Sequence, residues 1–135
     1  MTRASLQTGM KVGLVALFAV AACACSSTGD KDPKLEENIY PASYKTQIAG
    51  LVSRQLEDPA NIRDAYVAEP VLKTSSLTTR YVACFRMNAK EDGNYSGVKE
   101  KAAFFFNGQI TQIVDATPAL CGGALYQPFP ELQKL

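Results

Sequence analysis

At 135 residues the chain has room for one folded domain beside a leader, and too little for a second core. With 14 Lys and Arg against 13 Asp and Glu it lacks the basic excess that phosphate-backbone binding requires, so no nucleic acid partner is expected. It contains no histidine, which removes Ser-His-Asp and Cys-His catalysis and the usual His-containing zinc and non-haem iron sites, so no metal and no cofactor is expected beyond a covalent lipid.

Arg3 and Lys11 precede an apolar run from Val12 to Ala22, followed by small residues and cysteine, which is the plan of an export signal. The run is about half of the roughly 20 residues that a membrane-spanning helix needs, so a permanent span is the weaker reading. The order Val20-Ala21-Ala22-Cys23 resembles the bacterial lipobox, in which an aliphatic and two small residues precede the lipid-bearing cysteine. That resemblance implies cleavage after a signal peptide of residues 1–22, a diacylglyceryl thioether on Cys23 and an acylated amino terminus. At ~0.8 kcal/mol per buried methylene, two or more chains anchor stably where one does not. Cys25 is the alternative: Ala22 is a poor first residue of the motif for it, but lipid there leaves the mature chain with an even pair of cysteines, whereas lipid on Cys23 leaves Cys25 as an odd thiol. Ala24 after Cys23, in place of aspartate, implies sorting to the outer membrane, facing the periplasm.

Residues 23–42 then read as the lipidated cysteine and a polar tether, since Ser26 to Asn38 cannot bury enough apolar surface to fold alone. Residues 43–135 read as a single periplasmic domain. Ser43 is a plausible N-cap for a helix carrying Tyr44, Ile48, Leu51, Val52 and Leu56 at helical spacing and ending at Asp58-Pro59. Ile62 to Lys73 is rich in β-branched and aromatic residues, with Pro70 marking an edge strand or an early end. Thr78 to Asn88 alternates, with Tyr81, Ala83, Phe85 and Met87 on one face and Val82, Cys84 and Arg86 on the other. Asn107-Gly108 favours a type I′ turn between strands Lys99 to Phe106 and Gln109 to Asp115, with Phe104 and Phe106 facing one way and Phe105 the other. The tail from Leu120 to Leu135 is expected to be irregular and packed, with core closure by Phe129 favoured over a polyproline-like segment that docks on a partner. The elements assemble into an α+β fold: one amphipathic helix on a three- to four-stranded antiparallel sheet, in two layers.

Cys84 and Cys121 are expected to form a structural disulfide, because the compartment permits it and no short C-x-x-C spacing tunes either thiol for redox work. The stretch Cys84-Phe85-Arg86-Met87-Asn88-Ala89-Lys90, with Gly93, Tyr95 and Gly97 after it and Leu56, Asp58 and Pro59 before it, is similar to a motif in small bacterial proteins of uncharacterised function. The resemblance implies a shared α+β domain and no activity, and the short acidic connection Glu91-Asp92 departs from the pattern. Asn88, Lys90 and Tyr95 form a donor-rich set on a hairpin loop, a possible binding loop. The plainer reading gives Asn88 and the glycines to turn geometry and Tyr95 to the sheet edge.

Two functions follow. The first is a membrane-anchored, non-enzymatic binding or structural module with an envelope protein as possible partner. The alternative is an envelope hydrolase or transferase using carboxylates or lysine, for which Asp64, Glu69, Lys90, Glu91 and Asp92 are the candidates.

Overall fold

A computed structural model describes residues 39–135. The expected signal peptide, the candidate lipid sites Cys23 and Cys25, and the expected tether as far as Asn38 lie outside the described residues.

The helix α1 runs Tyr44–Gln55 and buries Tyr44, Ile48, Ala49 and Val52, a stripe at helical spacing. Ser43 occupies the N-cap position but makes no side-chain cap bond. Its hydroxyl instead accepts from Gln47 Nε2 at 2.9 Å, and the same amide docks the helix on the sheet, donating to Gly108 O at 3.0 Å and accepting from Ile110 N at 2.7 Å. The helix stops three residues short of Asp58, and Asp58 Oδ1 accepts from Ala60 N at 3.1 Å to turn the chain.

The strands are β1 (Arg63–Ala68), β2 (Val71–Thr74), β3 (Thr79–Asn88), β4 (Lys90–Glu91), β5 (Asn94–Tyr95), β6 (Lys99–Phe106), β7 (Gln109–Asp115) and β8 (Tyr126–Pro128). One six-stranded antiparallel sheet has the order β7-β6-β3-β1-β8, with β2 also paired to β3, and β4 and β5 form a separate small hairpin. This corrects the expected three or four strands, and the reason lies at two places. Pro70 splits one extended run into β1 and β2, which pair with successive halves of β3 as Val67↔Phe85 and Val71↔Val82. The tail supplies β8, whose Tyr126 to Pro128 pair with Ala68 to Tyr66, so that β1 is an interior strand and β2 alone keeps the free edge that Pro70 suggested.

Expected irregularity in the tail is likewise corrected. After β8 comes a helical turn, Pro130–Gln133 (α3), and Phe129 and Leu132 are fully buried against the helix face of the sheet. Phe129 therefore closes the core, as the simpler reading of the tail expected. Asn107 and Gly108, at φ 49° and 71°, form the β6–β7 turn, which holds the two strands at the bounds their sequence predicts.

Two layers are also too few. On one face α1 and α3 cover Ala83, Phe85, Met87 and Phe105. On the other a short helix, Pro118–Cys121 (α2), packs near Val82, Cys84, Ala102 and Phe104 in a second, smaller cluster. Period-2 alternation sends neighbours to opposite faces, so β3 and β6 contribute to both.

Candidate functional site

Cys84 and Cys121 are joined by a disulfide, with Cα atoms 5.7 Å apart and a sequence separation of 37 residues. It ties α2 to the middle of β3. Thr117 starts α2 by accepting Leu120 N on its hydroxyl at 3.3 Å. Gly122 follows, and a Cβ there would collide with Pro118 O, so the sharp exit from α2 demands glycine. The chain then crosses outside the sheet to join β1 only at Tyr126↔Ala68.

Because β2 has no neighbour on its outer side and residues 122–125 do not pair with it, a groove of about 590 Å³ opens between them. Val82 and Cys84 line it on the sheet side, Val71, Leu120 and Leu125 add apolar lining, and Glu69 and Lys73 are on it as well. Leu125 is 87% exposed, a large apolar side chain standing over a mostly apolar cleft.

Tyr126, at one end of the groove, belongs to a three-residue cluster. Its hydroxyl donates to Glu100 Oε1, and Arg86 bonds the same carboxylate at 3.3 Å while its guanidinium lies 3.9 Å over the Tyr126 ring. Burial first, and then the bond to Glu100, push the phenol up to about 12, which keeps it a hydrogen-bond donor across physiological pH. Sequence reasoning missed both cluster and groove. Arg86 and Glu100 are register partners on β3 and β6, and only the pairing brings them together. Gly122-Gly123 was the local signal of a chain leaving a helix.

The loop singled out from sequence lies elsewhere in the sheet. Asn88 Oδ1 accepts Gly97 N at 3.0 Å and its Nδ2 donates to Asp64 at 3.4 Å, closing the loop on the β1 bulge, where Asp64 has φ 51°. Tyr95 donates to Asn61 O at 2.7 Å, with the Arg63 guanidinium 4.1 Å from its ring. Lys90 lies 5.7 Å from that ring and 4.0 Å from Asp58. Lys90 and Tyr95 pair across the small hairpin and line a shallow depression of about 430 Å³ that Asn88 does not line; Tyr95 spends its hydroxyl on backbone, and Asn88 its amide on Gly97 N and Asp64.

Among the acid-base candidates, Asp64 takes the bond from Asn88 and Glu91 pairs with Lys99, whose hydrogen bond and charge hold the Glu91 carboxyl below its usual range. Asp92 has φ 50° in the turn from β4 to β5, and Glu69 lines the groove instead. The structure therefore divides them between two sites. Among the described residues no group of three or more His, Cys, Asp and Glu is placed to hold a metal ion, and no helix is long and apolar enough to cross a membrane.

Compared with known proteins, the chain matches no protein family, no curated protein and no solved structure. The functional reading rests on its own residues.

Proposed function

We propose that this chain is a lipid-anchored protein of the bacterial envelope, held at the outer membrane facing the periplasm, whose folded domain is a non-enzymatic binding module for an envelope protein. The anchor reading is supported by the signal segment and by Val20-Ala21-Ala22-Cys23, with Cys25 as the alternative lipid site. The Asn-Ala-Lys and Gly-x-Tyr-x-Gly stretch supports membership in a group of small envelope lipoproteins with the same kind of domain.

The observation that carries the binding reading is the groove beside β2. It is concave, lined mostly by apolar side chains, and offers a free strand edge and the exposed Leu125 to a partner's apolar side chain, with Glu69 and Lys73 to orient it. The partner is a protein that inserts such a side chain.

Complementation of a deletion strain separates this from the hydrolase or transferase alternative. A Val71→Arg, Leu125→Arg protein fills the groove with charge and is expected to fold but fail to complement. A Lys90→Ala, Asp92→Ala, Tyr95→Phe protein is expected to complement. The reverse pattern contradicts the binding reading and favours chemistry at the loop. Intact mass of the mature protein decides the lipid site, because products beginning at Cys23 and Cys25 differ by Cys23 and Ala24.

A further inference from the structure

The end of the sheet at which the described chain begins carries an apolar and cationic surface that adjoins the groove and shares Lys73 with its lining. Ile39 meets the β6–β7 turn, where a Cβ on Gly108 would lie 3.1 Å from Ile39 Cγ2. Tyr40 packs edge-on against Tyr81, with ring centroids 5.4 Å apart. Tyr81 is the register partner of Leu72 on β2 and of Phe105 on β6, so Leu72 and Phe106 reach the same end. Leu77, in the turn from β2 to β3, is 90% exposed, and Ile39, Tyr40, Leu72 and Phe106 are exposed as well.

Single exposed apolar residues are ordinary, but these converge on one end and two cations stand among them. The Arg80 guanidinium lies 4.7 Å over the Phe106 ring, and Arg80 is the register partner of Lys73. Neither makes an ion pair among the described residues, whereas Lys90, Lys99, Lys101 and Arg86, toward the other end of the sheet, do; Arg63 at that end is likewise without an ion pair but lies over the Tyr95 ring. Aliphatic and aromatic tips beside unpaired Arg and Lys are the chemistry of a surface that meets anionic headgroups and the acyl boundary beneath them.

We propose that this end of the domain docks on an anionic phospholipid bilayer, with Leu77 and Phe106 entering the interface and Arg80 meeting headgroup phosphates. The inference rests on the lipid-anchored reading for its occupant. The described chain starts at Ile39 on this end, and only residues 24–38 separate it from Cys23, a reach of at most about 58 Å at roughly 3.6 Å per residue. A lipid on Cys23 would therefore tether the domain by this end, the one its covalent path reaches first.

The chain has no tryptophan, so a single introduced indole reports its own surroundings. Full-length Leu77→Trp protein, made in bacteria and reconstituted into vesicles of phosphatidylethanolamine and phosphatidylglycerol, places the probe on the docking end. A Val98→Trp protein is the control: Val98 is exposed and adjoins Lys99, the partner of Met87, seven residues along β3 from Arg80 and so roughly 23 Å away at about 3.3 Å per residue. Bromine-labelled acyl chains are expected to quench roughly half of the L77W emission and shift it to shorter wavelength, as burial of about 5–10 Å in the interface requires, and to leave V98W unchanged. Adding Arg80→Glu to L77W is expected to cut that quenching by about twofold or more, since it replaces attraction to phosphate with repulsion. Unquenched L77W, or equal quenching of L77W and V98W, overturns the docking. Incorporation of radiolabelled palmitate into the same preparations reads the anchor separately. Labelled protein with unquenched L77W leaves the anchor and removes the docking, and unlabelled protein whose L77W is quenched on addition to vesicles removes the anchor and keeps the docking.

Discussion

The two faces of the sheet are built from the same strands and stabilised in different ways. The helix face is filled by large side chains, Phe85, Phe105, Phe129, Ile48 and Leu132 among them, each fully or almost fully buried. The opposite face gathers smaller residues, Ala68, Val82 and Ala102, around the Cys84–Cys121 bridge, with Phe104 only partly covered. A covalent link there stands in for packed volume, and the volume left open is the groove. The difference teaches that a small domain can concentrate its packing on one face and keep the other concave, provided a cross-link holds the covering segment in place.

Truncation on the helix face tests that division most severely. Phe85→Ala leaves a cavity beneath α1 and is expected to cost about 3–5 kcal/mol, read by chemical denaturation. A loss under about 1 kcal/mol would mean that the packed face does not carry the fold.

Removing the bridge by Cys84→Ser with Cys121→Ser comes next. For a loop of this length the chain-entropy estimate is about 4 kcal/mol, and the loss is expected to appear as a lower denaturation midpoint together with faster proteolysis at residues 116–125. Faster cleavage within β6 and β7 instead would show that the bridge supports the whole sheet and not the groove wall.

The smallest effect belongs to the cluster at the groove's end. Tyr126→Phe removes a hydrogen bond to a half-exposed carboxylate and is expected to cost about 1 kcal/mol at neutral pH. The folded phenol titrates near 12, above its ordinary 10, so folding favours the protonated form. Its contribution is complete below pH 10 and is lost as pH rises through about 12. Denaturation of the Y126F protein is expected to lack that alkaline component. An unchanged alkaline loss would mean that another group produces it.

How much of this was legible in the sequence follows the range of each interaction. The β6–β7 hairpin was readable because Asn107 and Gly108 themselves supply the positive φ that the turn needs. The alternation of β3 was readable because two faces with different covers each demand apolar residues every second position. The bond between Cys84 and Cys121 was readable because no short C-x-x-C spacing tunes either thiol for redox work and an exported domain permits the bridge. Pro70 gave a true signal with an incomplete meaning, since it ended β1 without making β1 an edge. The missing neighbour, β8, sits some sixty residues away and pairs through Tyr126 to Pro128, a segment that ends on one proline and is followed by Pro130, and so reads locally as irregular. The groove was invisible for the same reason, being the space between β2 and a chain that joins the sheet only at Ala68. For the loop of Asn88, Lys90 and Tyr95, polar side chains in sequence do not show whether their partners are ligands or the protein's own backbone.

The division between a packed face and a binding face is tested most directly by site-specific photocrosslinking in intact cells. A photoreactive side chain at Val71, in the groove, is expected to yield a discrete protein adduct on irradiation, while the same group at Lys90, on the loop, yields none. An adduct from Lys90 with none from Val71 would contradict the account and move the binding surface to the other end of the sheet.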